Sequence, residues 1–303
     1  MGRGGDAVKL AWVGWHAFQH RMPEQGFDTA WIRLRGHEVL TWADVRARAG
    51  FTPDVVVYAD RSTPPPLAGV ERFPALTCFW AIDSHIHTWY PGYAAGFDCC
   101  AVSLRDHLDA FAAPLGRGRV LWLPPYARDR DVPRPGAEPE YDALFVGTVD
   151  PETTPLRKAF LRELDARIPG RLHVTTGVYR ELFPAARVVL NIAERGDLNY
   201  RVFEALGCGA CLLTPRVGHG QDELFPAGRC LEVYDGGDAE DAARMIGMLL
   251  ADPARREALA RAGSAEVDRA HRMVHRAEAL AGLLRSPGAA AAMRRRLGGA
   301  APL

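Results

Sequence analysis

An α/β architecture of two doubly wound parallel sheets is predicted by three observations. Short runs that are apolar throughout, such as Asp54 to Ala59 (DVVVYA), recur along the chain with helix-length segments between them, the pattern of strands buried on both faces. Residues Pro124 to Tyr141 (PPYARDRDVPRPGAEPEY) are rich in proline and charge and carry no periodicity, which marks a linker. A length of 303 residues suffices for a core on each side of that linker. The expected division is a first domain over 1–125, a linker over 126–141, a second domain over 142–285 and a disordered, low-complexity tail over 286–303.

The first domain opens with a strand over Val8 to Val13, ended by Gly14, where the lack of a side chain lets the backbone approach a ligand or a facing domain. Phe27, Ala30, Trp31 and Leu34 follow at helical spacing, and Gly36-His37-Glu38-Val39 turns into a second strand, so the opening reads as a β-α-β unit. Asp54 to Ala59, Ala75 to Ala81, Phe97 to Val102 and Val120 to Leu123 are further strands, with a proline loop at Ser62 to Pro66 and a helix over Asp106 to Phe111. The second domain starts with a strand over Asp142 to Val146, the turn Gly147-Thr148 and an amphipathic helix with Leu156, Phe160, Leu161, Leu164 and Ile168 on one face. Leu172 to Thr175 is the next strand, with Thr176, Gly177 and Tyr179 in the loop after it. Later come the loop Gly218-His219-Gly220, a strand near Leu231 to Val233 and three helices ending near Leu284.

The stretch Arg187 to Pro215, RVVLNIAERGDLNYRVFEALGCGACLLTP, organises the second domain. Val188 to Ile192 and Cys211 to Leu213 read as buried strands; the helix between them starts at Asp197 or Asn199, either able to cap it, and stops at Gly207 and Gly209. A helix N-terminus at the carboxyl end of a parallel sheet offers free N–H groups and a partial positive charge, which suits a phosphate-bearing ligand. Arg201 and Glu204 share a face at i, i+3, so a guanidinium can reach a diphosphate while a carboxylate accepts from a vicinal diol such as a ribose. The same spacing also fits a surface ion pair of little energetic weight.

Composition narrows the class. Hydrophobic residues make up 48% and charged residues 24%, with 37 bases against 37 acids, which gives no electrostatic reason to expect nucleic acid as the main partner. No signal-peptide pattern precedes the first strand, and no run approaches the ~20 apolar residues of a bilayer-spanning helix, so a cytoplasmic protein with reduced thiols is expected. Cys208-x-x-Cys211 runs into a core strand and has no second pair to complete a zinc site, so both read as small hydrophobes. No Gly-x-Gly-x-x-Gly is present, which argues against a dinucleotide-binding dehydrogenase.

The run Asn199-Tyr200-Arg201-Val202-Phe203-Glu204-Ala205-Leu206-Gly207-Cys208-Gly209-Ala210, followed by Leu212-Leu213-Thr214, resembles the C-terminal half of GT-B glycosyltransferases, in particular the group related to the spore-coat maturation enzymes. The similarity continues through Glu223-Leu224-Phe225, Gly228, the acidic helix from Asp238 to Leu250, Arg255-Arg256, Ala262-Gly263, His271 and His275-Arg276. Gly36-His37-Glu38-Val39 also recurs in GT-B N-terminal domains. The resemblance implies a GT-B fold, two Rossmann-like doubly wound parallel-sheet domains facing across a cleft, with the last helix crossing back to the N-terminal domain. In that family the glutamate matching Glu204 holds the nucleotide ribose. A basic residue matching Arg157 contacts the donor diphosphate, although a solvated first-turn arginine fits the sequence equally, since a cation gains nothing at the positive end of a helix. Gly14, Gly147, Gly177, Tyr179, Asn199, Tyr200 and Arg201 complete the expected nucleotide-sugar site. The larger family of retaining enzymes carries a second glutamate with seven residues between the two; that position here is Gly196, and Glu194 lies two residues out of register.

A competing motif is Ala81-Ile82-Asp83-Ser84-His85-Ile86-His87-Thr88-Trp89. After an apolar strand, His-x-His can supply two metal ligands, and the run resembles the first metal motif of amidohydrolases. That fold places the motif near the start of a barrel and needs ligands at later strand ends, which His173, His219, His271 and His275 do not supply convincingly. Under the GT-B resemblance the same loop lies where the acceptor enters, and Asp83, His85 and His87 become candidates to orient the acceptor or to stabilise the departing diphosphate, with Asp83 and His85 the catalytic pair and a structural role open to one of the two histidines. The expected function is sugar transfer from a nucleotide sugar to an acceptor that is a small molecule, glycan or protein, with retention. No metal or other cofactor is expected, because arginine and helix charge can stabilise a leaving diphosphate. The alternatives are a metal-dependent hydrolase using His85 and His87, and a GT-B-like binding protein without catalysis, suggested by Gly196. The sequence does not speak to oligomeric state.

Overall fold

Eleven strands lie in two sheets, parallel throughout, among residues 7–298, the part of the chain that this computed structural model describes. The chain divides into two compact units, one formed by the residues up to Pro124 with those from Val274 onward, the other by Pro125–Met273.

The first unit holds β1 (Val8–Gly14), β2 (Phe27–Ile32), α1 (Trp42–Ala49), β3 (Val55–Ala59), β4 (Leu76–Ala81), α2 (Tyr90–Ala94), β5 (Cys99–Val102), α3 (Leu108–Leu115) and β6 (Val120–Trp122), in sheet order β2-β1-β3-β4-β5-β6. The central strands are buried along their whole length, as their uninterrupted apolar runs require. One departure from expectation stands at the opening. Phe27–Ile32 is a strand paired with β1 (Val8 opposite Phe27, Val13 opposite Ile32), and Gly36 to Val39 is a turn rather than a strand. Helical spacing of four apolar residues competed there with the β preference of Phe, Thr, Trp and Ile, and sheet pairing decided it. The first helix comes later and is announced by a capping box: Thr41 accepts from the Asp44 N–H, and Asp44 accepts from the Thr41 N–H at 2.8 Å.

The second unit holds β7 (Tyr141–Val146), α4 (Pro155–Arg167), β8 (Leu172–Thr175), α5 (Tyr179–Leu182), β9 (Ala186–Leu190), α6 (Tyr200–Gly207), β10 (Leu212–Pro215), α7 (Gln221–Leu224), β11 (Glu232–Tyr234), α8 (Ala239–Ala251) and α9 (Pro253–Ala270). Its sheet order is β11-β10-β9-β7-β8. Read from each unit's own first strand, both sheets follow the order 2-1-3-4-5, with a sixth strand added at the end of the first, so each has a topological switch point, between β1 and β3 and between β7 and β9. Ligands of such sheets bind outside the carboxyl ends of the strands at that point.

Two boundary expectations change. Tyr126, Ala127 and Asp131, expected in a linker, are buried within the second unit, where the Ala127 N–H donates to the His271 carbonyl at 2.9 Å. The expected disordered tail contains α11 (Pro287–Gly298), which follows α10 (Met273–Leu284); residues 299–303 lie outside the described residues. Its alanines are strong helix formers, and Arg296 anchors it by a bidentate pair with the buried Asp98 at 2.7 and 2.9 Å and by bonds to the Phe73 and Ala75 carbonyls.

Candidate functional site

At the switch point of the second unit, β7 runs out at Phe145 and Val146, and Gly147 follows. A Cβ on Gly147 would stand 2.8 Å from Arg201 Nη2 and 3.1 Å from the Phe145 ring, so glycine is what lets the Arg201 guanidinium lie against the strand end. That guanidinium sits 4.9 Å over the Phe145 ring and donates to Asn191 Oδ1 at 3.2 Å. Asn191 is held in turn by its Nδ2 on Thr214 Oγ1 (3.0 Å) and its carbonyl on the Tyr234 hydroxyl (2.9 Å). Arg157, in the first turn of α4, approaches the same ring at 5.7 Å and donates to the Thr148 carbonyl at 2.8 Å. Two cations thus share one aromatic ring. Burial pulls the Arg201 pKa down, and the like charge of Arg157 adds to it. Among the described residues no ion pair joins Arg201 to a carboxylate, so the surface-pair alternative with Glu204 does not form.

Glu204, one turn further along α6, sits instead beside Asp131 and the Tyr179 hydroxyl, which bonds Asp131 Oδ1 at 2.8 Å. Burial raises the pKa of both carboxyls, and Asp131 adds like-charge repulsion at Glu204. Asn199 is the N-cap residue of α6, yet its side chain makes no capping bond: Nδ2 donates to the Ile192 carbonyl at 3.4 Å, and Oδ1 is buried without a partner. Tyr200 packs edge-on against Tyr126 at 5.4 Å. Gly177 follows β8 and leads to Tyr179, the first residue of α5.

The structure gives Glu194 a definite task. Its Oε1 accepts from the Leu156 and Arg157 N–H groups at 3.0 and 3.2 Å, capping α4, and its Oε2 lies 3.6 Å from Arg157 Nη2. It therefore does not substitute for a glutamate at 196. Gly196 has φ +74°, in the left-handed region, and a Cβ there would meet nothing within 4 Å. It lines a cavity of ≈ 320 Å³ with Phe160, Ile192, Pro215 and Tyr234.

In the first unit, Gly14 has φ +101° and its Cβ would stand 2.3 Å from the Ala59 carbonyl, so its glycine is required by the approach of β3 at that unit's own switch point. Asp60, the residue after β3, is buried and accepts from the Ser62, Ile82 and Asp83 N–H groups and the Tyr90 hydroxyl. It shapes the loop that carries Asp83 and His85. Burial raises the Asp83 pKa, and Asp60 raises it further. His87 bonds Ser62 Oγ at 2.7 Å and stacks on Tyr90, so it is committed to packing. His85 keeps a buried Nδ1 without a partner. Among the described residues no three His, Cys, Asp or Glu side chains converge as a metal cage would need. Cys208 and Cys211 are buried thiols, both pushed up to about 12 by burial.

Gly147, Arg157 and Arg201 are brought together, as are Tyr179 and Glu204; Gly14, Asp83 and His85 belong to the other unit. Asn191 and Asp131 were missed. Asn191 left a signal, a polar residue inside the run VVLNI, where burial demands a partner. Asp131 lay in a charge-rich segment that offered none.

Residues 138–282 match the family model described as glycosyl transferase-like. This glycosyl transferase-like segment spans every strand of the second unit and both arginines at its switch point. Solved structures extend the likeness, in fold alone, to more than nine-tenths of the chain. A glycosyltransferase from Rickettsia africae ESF-5 is 8% identical, with a TM-score of 0.64 over 93% of this chain and 100% of that one. The HepE protein of Anabaena, in complex with UDP and glucose, is 10% identical, with a TM-score of 0.65 over 92% and 100%. Sucrose-phosphate synthase from Thermosynechococcus elongatus is 12% identical, with a TM-score of 0.63 over 93% and 100%. The fold is GT-B. No curated protein matches the sequence. Among the described residues no helix is long and apolar enough to cross a membrane.

Proposed function

We propose that this protein is a glycosyltransferase that moves a sugar from a nucleotide-sugar donor to an acceptor, with retention and without a metal. The observation that carries the reading is Arg201: a half-buried guanidinium at a switch point, backed by Phe145 and Asn191, beside a second arginine and lacking an ion-pair partner among the described residues. A cation in that position is unfavourable until an anion arrives, and a diphosphate supplies one. Glu204 takes the ribose diol. As the acceptor oxygen bonds to the anomeric carbon, the bond to the diphosphate breaks, the acceptor's hydroxyl proton passes to the departing diphosphate oxygen, and Arg201, Arg157 and the α6 N-terminus stabilise the charge that the diphosphate carries away. These groups do the work a divalent cation does elsewhere. Asp83 and His85 are assigned to orienting the acceptor hydroxyl.

The UDP bound in the HepE structure makes uridine the first nucleotide to try. Calorimetry with a panel of nucleoside diphosphates, with and without a chelator, tests donor binding. The anomeric configuration of the product, read by NMR, tests retention. Failure of every nucleoside diphosphate to bind refutes the reading. A second reading, a binding protein without catalysis, is favoured by Gly196 together with the engagement of Glu194 at α4; release of free sugar or transfer from any donor eliminates it.

A further inference from the structure

The first unit carries a basic pocket that the donor site does not use. It lies at the carboxyl end of the edge strand β2, has a volume of ≈ 720 Å³, and is lined by Trp31, Arg33, Arg35, Arg48 and Arg61. Its origin is a strand alternation. Ile32 and Leu34 point into the core, so Trp31, Arg33 and Arg35 are turned outward, all three exposed. Two of the four arginines have fixed duties: Arg48 makes a bidentate pair with Glu38 at 2.8 and 2.9 Å, and Arg61 donates to the Leu34 carbonyl at 2.8 Å. Among the described residues Arg33 and Arg35 make no ion pair. Trp31 is oriented by its Nε1–H on the Gly14 carbonyl at 3.1 Å and by edge contact with His16, and stays 41% exposed. An exposed, fixed indole beside two unpaired guanidiniums is a combination suited to a sugar ring that bears an anion.

We infer that this pocket binds an anionic sugar unit, phosphorylated or carboxylated, of the acceptor. The inference rests on the glycosyltransferase reading. β2 is separated from β4 by β1 and β3, so the pocket stands about 14 Å across the sheet from the Asp83 loop, at ~4.8 Å per strand. The acceptor is therefore longer than one sugar, with its anionic unit held away from the reacting hydroxyl.

The test titrates the full chain with glucose 6-phosphate, glucuronic acid, glucose and inorganic phosphate by ligand-observed NMR, beside UDP by calorimetry. The two anionic sugars should bind, glucose and phosphate about tenfold or more weaker, and the preferred one of the first two identifies the anion. The double variant Arg33→Ala, Arg35→Ala should lose the anionic sugar about tenfold while UDP affinity and melting temperature stay at wild type. Equal binding of glucose, equal binding of bare phosphate, or anionic-sugar affinity unchanged in the double variant overturns the inference with UDP binding intact. Loss of UDP binding in the wild type would instead strike the donor-site reading.

Discussion

Replacing Glu204 by alanine separates a ligand-binding carboxylate from a structural one. Among the described residues this side chain makes no ion pair; it sits half-buried beside Asp131 with its pKa raised, first by burial and then by that neighbouring charge, against a smaller pull from Arg128 and Arg201. A carboxyl whose folded pKa is raised contributes stability below its unfolded pKa and loses it as pH rises through the folded value, so at neutral pH the ionised group works against the fold. Glu204→Ala should therefore leave the melting temperature at pH 7.5 unchanged or raise it. Binding should move the other way. Hydrogen bonds from ribose hydroxyls to a charged acceptor are worth about 1.5 to 3 kcal/mol, which is roughly 10- to 150-fold in Kd. Calorimetry with UDP and a thermal melt of the same variant measure both. A lowered melting temperature with unchanged UDP affinity would refute the argument. In the wild type, UDP affinity should fall on acidification at a pH above the ordinary carboxylate range, and Glu204→Ala should remove that dependence.

Arg201→Met should weaken UDP binding by about 2 kcal/mol or more while leaving stability unchanged or improved, since an apolar side chain replaces an uncompensated cation; calorimetry and denaturant melts decide it. Gly147→Ala should displace the Arg201 guanidinium, whose Nη2 lies 2.8 Å from the added Cβ, and show the affinity loss with a small change in melting temperature. Glu194→Ala uncaps α4 and should cost about 1 to 2 kcal/mol in the second unit's unfolding transition. Arg296→Ala leaves the buried Asp98 unpaired and should cost about 3 to 5 kcal/mol in the first unit, readable by denaturant unfolding.

The sheets were legible because parallel strands in a covered sheet are written as largely apolar runs, and ten of the eleven strands lie where such a run was read. β2 was not, because an edge strand mixes apolar and polar residues, and Phe27, Ala30 and Trp31 within it fell, with Leu34 just beyond, at helical spacing. The α6 site was legible through its glycines, its cap position and the Arg201–Glu204 spacing. What each of those side chains touches was not: Arg201 turned to Asn191 and Glu204 to Tyr179, partners 10 and 25 positions away whose approach depends on the packed sheet. The alanine-rich segment after Ser286 misled for a different reason. Low complexity signals disorder only when nothing anchors the segment, and the anchor, Arg296 on Asp98, lies far away in sequence.

The membership of α10 and α11 in the first unit has a consequence for synthesis. Leu280, Ala281, Leu284, Ala289 and Ala292 are buried in a unit whose sheet is complete by Trp122, yet these residues follow the entire second unit in the chain. At a translation rate of roughly 5–20 residues per second, the sheet waits about 10 to 30 s for its last covering helices. During that interval Asp98 has no Arg296, and the apolar surface destined for α10 and α11 faces solvent or a chaperone. The first part of the chain to be made is the last to be finished, so variants in 274–298 should act on yield during expression more strongly than on the activity of molecules that have folded.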